Sequence, residues 1–175
     1  FYMHVHGHGR AADLTTKVAP AIALIGKGTP PAAATAGRTI TGTLDTAQLA
    51  KIFGQQGEQN GAVYKITLAR PDIALKEMGA TINARMGLNT WAAFYGSDAD
   101  AVVAGDIAML APEVTPVLTA LRAKGIDVVA IHHHMTGIEP AVTFLHYWGQ
   151  GPAATLAIAV KAAIDQTGKA GHAGH

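Results

Sequence analysis

Apolar and polar residues alternate along the chain in a way that predicts short strands separated by helices. Residues 62–70 alternate up to Pro71, which is typical of a strand with one solvated face. Residues 44–53 place apolar side chains at helical spacing and end before Gly54, which predicts a short helix. The remaining predicted strands are 91–95, 101–110, 126–135 and 141–148, and the remaining predicted helices are 112–124 and 152–166. This order predicts an α+β fold with an antiparallel or mixed sheet and helices packed on one sheet face.

The two ends of the chain are similar to each other at an offset of 142 residues. Setting residues 1–22 beside residues 143–164 gives nine identities in 22 ungapped positions. A histidine and two glycines are among them, so the match exceeds what alanine-rich segments share by chance, and it predicts an internal duplication. The identical pairs are His4/His146, Gly7/Gly149, Gly9/Gly151, Ala11/Ala153, Ala12/Ala154, Leu14/Leu156, Val18/Val160, Ala21/Ala163 and Ile22/Ile164.

The duplication predicts a tandem-repeat protein whose first repeat is truncated. Residues 1–26 are interpreted as the closing strand and helix of the first repeat, and residues 38–167 as a complete second repeat. Residues 27–37 between them contain paired prolines and glycines, which neither extend a helix nor sit inside a sheet, and they are interpreted as a linker. Residues 168–175 form a histidine-containing tail. Because an incomplete repeat leaves sheet edges open, a homo-oligomer or a complex with the missing first-repeat fragment is an expected assembly.

Composition narrows the functional classes. With 49% hydrophobic and 14% charged residues, the 175-residue chain has enough apolar surface for a core. Thirteen basic residues against twelve acidic ones, without a basic run, argue against a nucleic-acid partner. No apolar stretch approaches the roughly 20 residues of a membrane span. The absence of cysteine excludes disulfides, thiolate metal sites and cysteine nucleophiles, and leaves the compartment undecided.

The chain has nine histidines, and eight of them fall into three short clusters. Side chains alternate along a strand, so His132 and His134 share one face while His133 points to the other. Two imidazoles at this spacing permit a site for a transition metal, with Zn and Cu as the expected ions. His146, on the next strand, joins the same face only if the residues paired across the hairpin sum to an even number. The turn length does not decide the register.

The N-terminal histidines are expected to form the first-repeat counterpart of this site. His4, His6 and His8 share one face if this segment is extended. Two alternatives stay open for all these imidazoles, namely surface or hydrogen-bonded core histidines, and acid–base chemistry without a metal. The catalytic residues are unassigned, and Glu113 and Asp106 are candidate bases. Their structural alternatives are a first-turn carboxylate and a turn residue, respectively.

Several short motifs together resemble the LppY/LpqO family. They are Val63-Tyr64-Lys65, Gly87-Leu88, Trp91-Ala92-Ala93-Phe94, Gly105-Asp106, Glu113-Val114, Gly125-Ile126, Ala130-Ile131-His132-His133-His134-Met135 and Leu145-His146-Tyr147-Trp148-Gly149. The resemblance covers most of residues 40–165. It implies a bacterial exported protein, periplasmic or extracellular, with two such repeats and no established activity. In this family asparagine usually stands where the chain has His133, which implies that the flanking His132 and His134 are the positions that matter.

Three hypotheses on function follow. The first is an exported protein that binds a transition metal through His132, His134 and His146, with the role of the metal unassigned. The second is a metal-dependent or histidine-dependent enzyme that acts on a small substrate. The third is a structural or assembly module in which the histidines bind no metal.

Overall fold

The structure, a computed structural model, describes residues 7–25, 27, 39–135 and 137–168. The chain divides into two units, Phe1–Thr39 and Ile40–His175, close to the boundary expected from the linker. The described part of the first unit contains helix α1 (Ala11–Ile22), as predicted, and none of its residues is buried. The predicted first-repeat strand and the linker lie almost entirely outside the described residues, as does the tail beyond residue 168.

The second unit is built on a main sheet of six strands. They are β1 (Glu58–Asn60), β2 (Val63–Ala69), β5 (Asn89–Gly96), β6 (Ala101–Leu110), β7 (Asp127–His133) and β8 (Val142–Gly151). Their order is β1-β2-β5-β6-β8-β7, and every neighbouring pair is antiparallel. The antiparallel alternative of the predicted α+β fold is therefore confirmed.

Three helices pack on one face of this sheet, as predicted. They are α2 (Thr46–Phe53), α3 (Val114–Ala123) and α4 (Ala153–Ile164). Asp45 caps α2 by accepting a hydrogen bond from the Gln48 amide, and Gly54 ends this helix in the left-handed region at φ 72°. Buried apolar residues of the three helices form one core with strand side chains such as Phe94 and Tyr147.

The opposite sheet face is covered over only part of its area. Strands β3 (Leu75–Glu77) and β4 (Ala80–Ile82) form a separate hairpin, followed by a 3-10 turn at Ala84–Met86. Leu75 and its neighbours pack on Ala108, Val142 and Phe144 of the main sheet in a second apolar cluster. The sequence pattern did not predict β1 or this hairpin, because three-residue strands are too short to show a periodicity.

Two predicted boundaries are corrected by the structure. The helix expected at 112–124 is a 3-10 turn, Ala111–Glu113, followed by α3. The strand expected at 126–135 ends at His133, so His134 lies in the bend that follows β7.

Helix α1 corresponds to α4 in more than sequence. Both helices have twelve residues, and their bounds differ by the same 142 positions as the sequence match. The glycines that precede them, Gly9 and Gly151, have φ angles of 147° and 152°. These similarities support the duplication, which stays a prediction.

Candidate metal site on the uncovered sheet face

The register of β7 and β8 places three histidines on the face opposite the helices. Opposed residues sum to an even number, since His132 lies across from Phe144 and Ala130 across from His146. His146 therefore shares a face with His132, as the even register requires, although its direct partner is Ala130. The pairing shifts by one residue at a bulge between Val128 and Ala130. Beyond this bulge, where β7 carries the histidines, the numbers of the paired residues sum to an even number.

The imidazoles of His132 and His134 meet at their Nε2 atoms, which are 3.0 Å apart. The two rings lie 4.9 Å apart, centroid to centroid, and His132 also stacks on His146 at 4.7 Å. The ring of His134 stacks on Phe144 at 3.7 Å with an angle of only 5° between the planes. Phe144 belongs to the second apolar cluster, and its contact with the His134 ring holds the pair in place.

A buried carboxylate faces His146 from the neighbouring strand. Asp106 lies directly across from His146 in the β6–β8 ladder, with 4.0 Å between its Oδ1 and the imidazole Nδ1. The Asp106 side chain is 7% exposed and that of His146 is 22% exposed, so the interaction is shielded from solvent. Burial and the nearby Asp106 carboxylate raise the pKa of the Tyr147 hydroxyl well above its ordinary value. At 4.0 Å the contact between Asp106 and His146 is electrostatic and too long for a hydrogen bond.

Within the second unit, His133 makes a different contact from the three grouped histidines. His133 has its Nδ1 3.0 Å from the carbonyl oxygen of Val142, which accepts its proton in the corresponding tautomer. His8 is exposed in the first unit. His4 and His6 lie outside the described residues, so the proposed first-repeat set stays a prediction.

Glu113, a candidate base from the sequence, belongs to a buried structural network instead. Its two carboxylate oxygens accept hydrogen bonds from Arg70 at 3.0 Å each. They also accept from the backbone amides of Leu110 and Gly168. With both oxygens engaged in this way, Glu113 anchors the start of α3, which fits the structural alternative given for it. Asp72 accepts two hydrogen bonds from the other side of the Arg70 guanidinium.

The Asp72 pair predicts a dependence of stability on pH. The hydrogen bond from Arg70 lowers the pKa of Asp72 below its value in an unfolded chain, which is about 3.9. Its contribution to the free energy of unfolding is therefore complete above about pH 5 and is lost as the pH falls through the folded-state pKa. We expect Asp72→Asn to lower stability in urea denaturation at pH 7 and to have a smaller effect at pH 3, where part of the contribution is lost. An equal loss at both pH values would contradict this. The expected loss is small because the Asp72 side chain is 40% exposed.

Beside the histidines the uncovered face presents aromatic and small residues. Lys65, Ala93, Ala104 and Trp148 pair successively across β2, β5, β6 and β8 and form one row. Lys65 Nζ lies 4.4 Å from the centre of the Trp91 ring, and Trp148 is 43% exposed. Ala93 and Ala104 have small side chains, so the surface between Trp91 and Trp148 is a shallow depression, called here the alanine floor.

One further carboxylate was missed by sequence reasoning. Glu77 Oε2 is buried and has no hydrogen-bond partner within the described ranges. Nothing in the sequence distinguishes Glu77, because its strand is too short to be predicted. Within the described part of the chain no three His, Asp or Glu side chains converge closely enough to hold an ion together. The candidate site therefore consists of the His132–His134 pair, with His146 and Asp106 as neighbouring candidate residues.

Fold and site define an α+β domain that carries helices on one face of an antiparallel sheet and a histidine pair on the other. A family model described as Domain of Unknown Function (DUF1259) matches residues 47–166, and the chain therefore belongs to this family. Neither the curated proteins nor the solved structures gave a match. In the described ranges no helix is long and apolar enough to cross a membrane.

Proposed function

We propose that this protein binds a transition-metal ion through His132 and His134, with His146 as the third imidazole. The observation that carries the proposal is the 3.0 Å separation of the two Nε2 atoms. Two nitrogens that bind one ion at about 2.1 Å, at an angle of about 90–110°, are themselves roughly 3.0–3.4 Å apart. The pair is thus spaced for adjacent coordination positions, and a metal would replace the proton that the two nitrogens share.

His146 supports this proposal as a neighbouring imidazole. Its ring lies beside that of His132, and Asp106 faces its Nδ1. A carboxylate behind a histidine selects the tautomer whose Nε2 lone pair can bind a metal. A change in the side-chain angles of His146 would bring this nitrogen to the ion.

The direct test is metal binding by protein purified without an affinity tag or column. We expect the His132→Ala/His134→Ala double variant to lose affinity for Zn²⁺ or Cu²⁺ by at least about 100-fold, more than the roughly 10–100-fold cost of losing an outer partner. The matched control is His133→Ala, which removes an imidazole from the same strand but from the opposite face. Isothermal titration and elemental analysis measure affinity and stoichiometry.

The terminal histidines require a second control. His4, His6, His8, His172 and His175 can bind metal ions on their own, so substitutions of these residues define the background. Metal retained by the double variant after this subtraction, or lost equally from His133→Ala, would refute the site. A protein that binds no metal at any stoichiometry would favour the structural-module hypothesis.

A metal-dependent enzyme is a second candidate, favoured by the uncovered row beside the histidines. Trp91 and Trp148 flank the alanine floor and can contact a small ring, while two or three protein ligands leave a coordination position for water or substrate. Asp106 is the proposed carboxylate of this site. Turnover that disappears with the metal would support this candidate. An exported, periplasmic or extracellular location is proposed from the LppY/LpqO resemblance alone.

A further inference from the structure

Helix α1 carries an apolar stripe that is not buried in the described part of the chain. Leu14, Val18 and Ile22 are four residues apart, so their side chains lie on one face of the helix. None of the α1 residues is buried, and Ile22 is 59% exposed. A helix of this length is only marginally stable in water by itself, and packing of its apolar face normally stabilises it. The stripe therefore requires a partner surface.

Helix α4 shows which kind of surface fits this stripe. Seven residues of α4 are buried, and five of them have the identical residue in α1 at the offset of 142 positions. Of the five α4 residues that are not buried, only Ala154 has an identical counterpart, Ala12. The identity between the helices is thus concentrated on the face that α4 packs into the core. The five identical pairs are Ala11/Ala153, Leu14/Leu156, Val18/Val160, Ala21/Ala163 and Ile22/Ile164.

The segment that leads into each helix has the same close packing. A Cβ added to Gly7 would lie 2.8 Å from Leu14 Cδ2, and a Cβ added to Gly149 would lie 3.0 Å from Leu156 Cδ2. In both copies a leucine, the fourth residue of the helix, therefore lies against a glycine of the preceding segment. This contact orients the helix relative to that segment. The described residues before α1 and α1 itself thus share the local arrangement of β8 and α4.

We propose that α1 docks on an α+β layer of the kind that α4 covers, supplied by a polypeptide similar to residues 40–141. In the second unit this layer consists of sheet residues and of α2 and α3, and Leu156 and Val160 are 5% and 0% exposed against it. An intact second copy of this chain offers no such surface, because its own α4 fills it. The partner must therefore lack a closing strand and helix of its own.

One difference between the two helices describes the partner further. Lys17 of α1 corresponds to Ala159 of α4, which is 3% exposed. A lysine at this position needs water or a carboxylate within reach of its ammonium group. The partner layer should therefore be open to solvent, or carry an acidic residue, at a place where the second unit is closed. This inference is independent of the proposed metal site.

The test compares residues 1–175 alone with the protein isolated, without an affinity column, from the cells that produce it. Mass spectrometry identifies any polypeptide continuous or associated with residues 1–175, and hydrogen exchange measures the protection of the α1 amides. We expect a segment similar to residues 40–141, and α1 amides that exchange at least about 100-fold more slowly than in residues 1–175 alone. Val18→Asp should abolish this protection. The matched control, Thr16→Asp, changes the position of Ile158, which is 57% exposed in α4, and should preserve it.

The variants in residues 1–175 alone separate docking from a contribution to the second unit. There Val18→Asp should leave the midpoint of urea denaturation unchanged, whereas Val160→Asp should lower it strongly, because only the second of these residues is buried. A midpoint lowered by Val18→Asp would mean that α1 is already packed in the chain alone, and it would overturn the proposal.

Three results on the isolated protein or on self-association would also overturn it. The first is a product without a segment similar to residues 40–141, or with α1 amides as unprotected as in residues 1–175 alone. The second is protection that Val18→Asp and Thr16→Asp abolish equally. The third is self-association of residues 1–175 that Val18→Asp abolishes, which would identify a second copy as the partner.

Discussion

Gly105→Ala is expected to lower the free energy of unfolding by about 3 kcal/mol or more, at the upper end of the cost of overpacking a core. A Cβ at this position would lie closer than 3.0 Å to the Tyr147 hydroxyl oxygen, to Tyr147 Cζ and to the carbonyl oxygen of Trp91. Tyr147 is 2% exposed and its hydroxyl donates a hydrogen bond to that carbonyl, so neither neighbour can move without breaking central packing. Urea denaturation and the yield of soluble protein measure the effect.

A second glycine provides the control for this prediction. Gly61 has a φ of 58°, and a Cβ added to it would meet no atom of the described residues within 4 Å. Gly61→Ala should therefore cost only the roughly 1 kcal/mol of a left-handed backbone. The double variant Gly105→Ala/Tyr147→Ala should lose less stability than the sum of the two single losses, since the added methyl group no longer meets the tyrosine ring. Equal costs for the two glycine variants would contradict the packing argument.

The contact between Gly105 and Tyr147 lies next to two residues of the candidate metal site. Gly105 precedes Asp106 and Tyr147 follows His146, and the pairs Gly105–Tyr147 and Asp106–His146 are successive steps of one ladder. The tyrosine ring fits over the glycine on the helix-covered face, while the carboxylate and the imidazole lie opposite each other on the uncovered face. We therefore expect a packing defect on the first face to displace the residues of the candidate metal site on the second.

The long strands of this fold were predictable because their faces differ in burial over many residues. The predicted and observed bounds of β6, 101–110, agree, and those of β2 and β5 differ by one or two residues at either end. The hairpin that covers part of the opposite face was not predictable, since Leu75–Glu77 and Ala80–Ile82 are each three residues long. Its carboxylate, Glu77, was missed for the same reason.

The histidine pair was partly predictable. Strand alternation places His132 and His134 on one side, but the position of His146 depends on the bulge between Val128 and Ala130, for which no local signal was recognised. Contacts between distant parts of the chain were also invisible. Arg70 binds Asp72, two residues away, but its deeper partner, Glu113, is 43 residues away.

Breaking the Arg70–Glu113 pair is expected to cost about 3–5 kcal/mol, as for other buried ion pairs that lose one partner. Glu113 is 3% exposed and Arg70 is 6% exposed, so Glu113→Ala leaves a guanidinium in the interior with only Asp72 to balance it. The backbone amides of Leu110 and Gly168 lose their acceptor as well, and an unsatisfied buried donor adds to the loss. The free energy of unfolding in urea measures the change.

The exposed pair of Arg122 and Asp127 is the control for this prediction. Its side chains are 63% and 71% exposed, so Asp127→Ala should change stability by no more than about 1 kcal/mol. Replacing both buried partners, in Arg70→Met/Glu113→Leu, removes the uncompensated charge and should cost less than Glu113→Ala alone. A double variant that is less stable than the single one would mean that the pair contributes net stability, through the anchoring of the 3-10 turn and α3 to the end of β2.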